Sequence, residues 1–113
     1  MPLYETVFIT RQDLSTGQND DLAKQMQQIV QDNGGKVANT EYWGLRQMAY
    51  KINKNKKGHY NLFHIDGPAV SKDEIERNLR LNEDVLRFMT VRIEKLPEGQ
   101  SALLRKEREG EAA

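Results

Sequence analysis

The chain has 113 residues, enough for one domain with a modest core, and its 37% hydrophobic and 30% charged content is that of a soluble globular protein. It has no cysteine, which excludes disulfides, thiolate-bound metals and iron–sulfur chemistry and points to a reducing compartment, the inside of a cell. Seventeen Lys and Arg balance seventeen Asp and Glu, which excludes a uniformly basic nucleic-acid coat, but residues 1–35 carry two cations against five acids while residues 36–60 carry six cations against Glu41 alone.

The opening MPLYETVFITRQD lacks the basic lead, apolar core and small-residue cleavage site of a secretory signal. No apolar run nears the roughly 20 residues that span a bilayer, so membrane residence is not expected. Tyr4 to Thr10, β-branched and aromatic, reads as a strand. Cap and turn residues fill Asp13 to Asp21, after which Leu22, Met26, Ile29 and Val30 recur at helical spacing and Asn33-Gly34-Gly35 ends the helix. Lys36 to Ile52 predicts a long, bent strand with Gly44 as a candidate bulge. Asn53 to Gly58 is a lysine-rich turn, and HYNLFHID returns as the second arm of a hairpin closed by Pro68.

Ser71-Lys72-Asp73-Glu74 has the spacing of a capping box, and Ile75 and Leu79 are predicted to face inward on the helix it would start. Val85 to Glu94 is the last strand. Beyond it the charged segment 97–113 has too few apolar residues to offset the entropy of ordering, so it is expected to be a mobile tail, with Leu103-Leu104 leaving room for a short helix. The order βαββαβ defines an α+β, ferredoxin-like domain over residues 1–96, a four-stranded antiparallel sheet with two helices on one face. That fold hosts many functions and settles none.

Two helices cover one side of such a sheet, so the outer strands should alternate apolar and polar residues. They do not: Tyr4 and Phe8 share one face and Val7 and Ile9 the other, and in the last strand Phe88 opposes Met89, Val91 and Ile93. Either the hairpin and tail cover the second set, or Val7, Ile9, Met89, Val91 and Ile93 form a patch for a protein partner.

Signs of catalysis are absent. His59 and His64 lie five apart on one strand, hence on opposite faces, and cannot share a metal. Asp20-Asp21 and Glu83-Asp84 sit at element ends where acids cap and solubilise, and no nucleophile elbow or Gly-rich phosphate loop is present. Arg11 after the first strand would suit an acylphosphatase-like anion cradle, but Asp13 stands beside it. No catalytic residue, metal, cofactor or small-molecule substrate is expected.

Arg46, Lys51, Lys54, Lys56 and Lys57 concentrate on the hairpin, a density that suits a phosphate backbone, with Tyr50 or Tyr60 available to stack on an unpaired base. A basic hairpin is also an ordinary protection against edge-to-edge aggregation. The RNA recognition motif shares the element order, but His59 and Asn61 occupy the positions where its third strand carries stacking aromatics.

Gly44-Leu45-Arg46-Gln47-Met48-Ala49-Tyr50-Lys51-Ile52 resembles the signature of the bacterial small-subunit ribosomal protein S-six family, which reads Gly, any residue, Lys or Arg, any, Leu or Met, Ala-Tyr, any, Ile. Lys57-Gly58-His59-Tyr60, the N-terminal Tyr4-Glu5 and Asp84 to Phe88 fit the same family, and the similarity runs from Tyr4 to Lys95. The resemblance implies a non-catalytic constituent of the cytoplasmic ribosome that binds small-subunit ribosomal RNA in its central domain jointly with ribosomal protein S-eighteen. On that reading Arg46 is the first RNA contact, Lys51, Lys54, Lys56 and Lys57 meet phosphates, Arg87 and Arg92 are further candidates, and the apolar patch meets the partner. A free-standing RNA module and a dimerising regulatory domain are the rival readings.

Overall fold

The computed structural model describes the backbone of residues 2–52 and 54–96, and the side chains of all of these except 49–52. The expectations for Tyr50, Lys51 and the tail from residue 97 therefore lie outside what is described. Six elements follow in the order β1 (Leu3–Arg11), α1 (Thr16–Asp32), β2 (Lys36–Ile52), β3 (Asn55–Asp66), α2 (Ala69–Leu81) and β4 (Val85–Ile93). The strands form one sheet in the order β2-β3-β1-β4, every pairing antiparallel, which is the expected ferredoxin-like topology.

The two helices pack on one face. Leu22, Met26 and Val30 of α1 and Ile75 and Leu79 of α2 meet Tyr4, Phe8, Phe63 and Ile65 of the sheet in the main core. The ends of α1 are specified locally. Ser15 accepts from the Gln18 amide at 3.1 Å while Gln18 Oε1 accepts from the Ser15 amide at 2.8 Å, a reciprocal capping box worth about 1 kcal/mol. At the other end Gly34 takes a φ of +83°, and the amides of Gly34 and Gly35 return to the carbonyls of Gln31 and Val30, a Schellman closure.

The capping box expected at Ser71 does not form. Helix α2 starts earlier, with Pro68 as the capping residue, and Ser71, inside the first turn, donates its hydroxyl to the Pro68 carbonyl at 2.7 Å. Ser71 is buried there against Gly35 and Gly67, so its hydroxyl is satisfied locally and is not available to cap a later helix start.

The opposite sheet face holds a second cluster. Val7, Ile9, Met48, Tyr60 and Leu62 are buried together, with Trp43, Leu86 and Met89 packed against them. No described helix residue belongs to it; the hairpin supplies Met48 and Trp43. This accounts for the two-sided apolar pattern of β1, which fills one core on each side of the sheet.

Candidate nucleic-acid and protein interface

Strands β2 and β3 together outrun β1. Strand β1 pairs with β3 as far as Arg11 opposite Gly58, and beyond that point β2 and β3 pair only with each other as an arm. The tip turns through Lys54 at a φ of 68° and is tied back to the loop after β1, where the Gln12 amide donates to Asn55 Oδ1 and Gln12 Oε1 accepts from the Lys57 amide, each at 3.2 Å. The side chains of Lys54, Lys56 and Lys57 are exposed. Register places Lys57 on the helix side, opposite Gln47, and Lys56 on the other.

The cations divide by partner. Arg11, Lys24, Lys72 and Arg77 each meet a carboxylate. Arg46, Lys54, Lys56, Lys57 and Arg92 meet none among the described residues. The Arg11 guanidinium is held by two carboxylates, donating Nε and Nη2 to Asp84 Oδ1 at 3.0 and 2.6 Å and Nη1 to Asp13 at 3.1 Å. These two carboxylates compete with any substrate anion for it, which counts against an acylphosphatase-like cradle.

Arg46 is held differently. The strand register slips between Tyr42 and Gly44, and Gly44 takes a φ of +83°, a left-handed conformation suited to glycine at a bulge. Arg46 Nε donates to the Trp43 carbonyl at 3.0 Å, and its Cζ lies 4.8 Å from the Trp43 ring centroid.

Arg87 and Arg92, five residues apart, fall on opposite faces. Arg87 pairs across from Ile9 on the helix-free side and donates to Met89 Sδ at 3.3 Å, whereas Arg92 pairs across from Tyr4 on the helix side. The fold therefore does not bring these two together. Tyr60, a candidate for base stacking, is 1% exposed within the second cluster and presents no ring face to a ligand.

The candidate protein patch separates by depth. Val7 and Ile9 lie on the helix-free face but are each 2% exposed. Met89 and Ile93 are half-buried and Val91 is 39% exposed, so the reachable part of the patch runs along β4.

Both histidines are buried in satisfied positions. His59 donates Nε2–H to the Leu14 carbonyl at 2.7 Å, so in the neutral ring Nδ1 accepts from the Tyr42 hydroxyl at 2.7 Å. His64, on the helix-free side, places Nε2 3.0 Å from Glu5 Oε1. His59 and Asn61 point toward the helices, so β3 cannot form the base-stacking platform of an RNA recognition motif. Among the described residues no group of His, Asp and Glu is placed to hold a metal ion, and no helix is long and apolar enough to cross a membrane.

Comparison with known proteins gives a consistent result. The family Ribosomal protein S6 matches residues 3–92. The small ribosomal subunit protein bS6 of Dinoroseobacter shibae is 52% identical over 109 residues, covering 96% of this chain and 93% of the relative. The corresponding protein of Paramagnetospirillum magneticum is 51% identical over 104 residues, covering 92% of this chain and 72% of the relative. The crystal structure of 30S ribosomal protein S6 from Thermotoga maritima superposes with a TM-score of 0.76 at 25% identity, covering 96% of this chain and 95% of that one. This is a structural, non-enzymatic family, in keeping with a site that offers cations and apolar surface. The chain belongs to the ribosomal protein S6 family.

Proposed function

We propose that this chain is a component of the cytoplasmic small ribosomal subunit that binds small-subunit ribosomal RNA through the β2–β3 arm and engages ribosomal protein S-eighteen along β4. The observation that carries the RNA half is the state of Arg46: anchored through Nε and ring contact, with Nη1 and Nη2 accepted by no group among the described residues. A planar fork held in this way suits the oxygens of a phosphodiester. Lys56 extends the same helix-free side of the arm, while Lys54 lies at its tip and Lys57 on its other side, and none of the three meets a carboxylate among the described residues; Lys51 of the signature would add to this basic arm. Arg87 belongs to the helix-free side of this surface, and Arg92 would contact phosphate only by a separate approach from the helix side. Val91 and Ile93, with Met89 beside them, supply apolar contact for the partner, while Val7 and Ile9 support that surface from below.

The test is binding of the full chain to a central-domain fragment of small-subunit ribosomal RNA across a salt series, with and without S-eighteen. Tight, salt-sensitive binding that requires the partner is expected. Arg46→Ala should lower affinity by about 1–3 kcal/mol. Equal binding without the partner would favour a free-standing RNA module, and no binding in either case would leave the arm a solvated edge.

A further inference from the structure

We propose that Trp43 is the positioning residue for Arg46, and that the pair acts as one preformed clamp for a single phosphodiester; this rests on the RNA-binding reading above. In a regular strand residues 43 and 46, an odd number apart, face opposite sides of the sheet. The irregularity at Trp43-Gly44 resets the alternation, so that Gly44 pairs with Tyr60 and Arg46 with Gly58, both helix-free-side positions, while Trp43 packs into the cluster on that same side. The outcome is a guanidinium held twice by one residue, through the Trp43 carbonyl at 3.0 Å and the indole ring at 4.8 Å from Cζ.

Each contact removes a freedom that an arginine on a solvated strand would otherwise lose on binding. The Nε bond fixes the guanidinium's position along the strand, and the indole ring beneath Cζ limits its swing. The Nη1 and Nη2 edge, without an acceptor among the described residues, is then aimed before the ligand arrives. A cation that only supplied charge would gain nothing from this arrangement, and lysine would serve equally.

The experiment compares affinity for the central-domain RNA fragment, with S-eighteen present, for the wild type, Arg46→Ala, Arg46→Lys, Trp43→Phe, Trp43→Leu and the Trp43→Leu/Arg46→Ala pair, with thermal unfolding of each. Trp43→Leu is expected to weaken binding about five- to thirtyfold and Trp43→Phe less than about threefold. The double variant should bind no more weakly than Arg46→Ala alone, because the two act as a unit. Arg46→Lys should resemble Arg46→Ala. Wild-type affinity in Trp43→Leu, losses that multiply in the double variant, or full rescue by lysine would each overturn the clamp while leaving Arg46 as an RNA contact. Wild-type affinity in Arg46→Ala would overturn the RNA contact itself and the clamp with it. Trp43 is the only tryptophan in the chain, so its emission gives a readout that survives poor folding of Trp43→Leu. Saturating RNA should change that emission in the wild type, and an unchanged spectrum refutes the clamp.

Discussion

Asn19 of α1 and Asn61 of β3 face each other as a closed amide pair, Asn19 Nδ2 donating to Asn61 Oδ1 at 2.8 Å and Asn61 Nδ2 to Asn19 Oδ1 at 2.9 Å, with each residue only 3% exposed. Thr10 of β1 adds its hydroxyl to Asn19 Oδ1 at 2.8 Å, so one helix and two strands share a single buried polar node. Removing either amide leaves one buried atom of its partner, Asn61 Oδ1 or Asn19 Nδ2, without the hydrogen bond it makes here. Asn19→Ala is expected to destabilise the fold by about 1–3 kcal/mol, read from urea unfolding. Stability equal to wild type would show that the node adds nothing to the docking of α1.

Gly58 has no room for a side chain. A Cβ there would collide with Ile9 Cγ2 and lie 3.0 Å from the Thr10 carbonyl oxygen, where β3 pairs with the last residue of β1. Gly58→Ala should cost about 1–3 kcal/mol by overpacking. In an Ile9→Ala background that cost should shrink, since the colliding methyl is gone. Additive losses in the double variant would place the strain elsewhere.

The depth difference along the helix-free face makes two similar substitutions behave oppositely. Val91→Glu puts a charge on a side chain that is already 39% exposed, and it should leave the unfolding midpoint nearly unchanged while weakening the proposed association with S-eighteen about tenfold or more. Val7→Glu buries a charge at a 2% exposed site and should prevent stable folding. A folded Val7→Glu protein, or an unfolded Val91→Glu one, would mean that the assignment of depth is reversed.

Lys72 of α2 lies 2.8 Å from Asp73 and 3.4 Å from Glu76. The hydrogen bond to Asp73, then the charge of Glu76, hold its pKa above 10.5 against the opposing effect of burial. The folded state therefore binds this proton more tightly than the unfolded chain does. Its contribution is complete below the unfolded value and is lost as pH rises through the folded one. Lys72→Met should lose up to about 1 kcal/mol relative to wild type at neutral pH. That difference should narrow above about pH 10.5, and a constant difference through alkaline pH would exclude the ion pair as its source.

The elements of this fold were legible because each is marked by period and by local chemistry. Leu22, Met26 and Val30 repeat at helical spacing, and Asn33-Gly34-Gly35 stops them. Ser71 misleads because Ser-x-x-Glu has the same spacing in the middle of a first turn as at its start, and only the packing of Pro68 and Gly35 decides between them. In the candidate site, Arg46 was marked by a motif and its lysine neighbours by charge density. The contribution of Trp43 was not legible, since strand alternation puts it on the wrong face and the Gly44 irregularity reverses that only once the chain is paired. The burial of Tyr60, Val7 and Ile9 depends on Met48 and Trp43 of β2 packing over them, a contact that sequence spacing does not encode.

Because β1 lies in the interior of the sheet, between β3 and β4, the first strand to leave the ribosome during synthesis is the last to be completed. Its Leu3 must wait for Ile93, near the far end of the domain, before its second edge is paired. Until then the growing chain carries an apolar strand with one open edge, the kind of surface that invites pairing with another chain. Fast synthesis, or early occupation of that edge by a chaperone, would shorten this interval. The yield of folded protein should accordingly respond to the time taken to deliver residues 85–93 as well as to the stability of the finished domain.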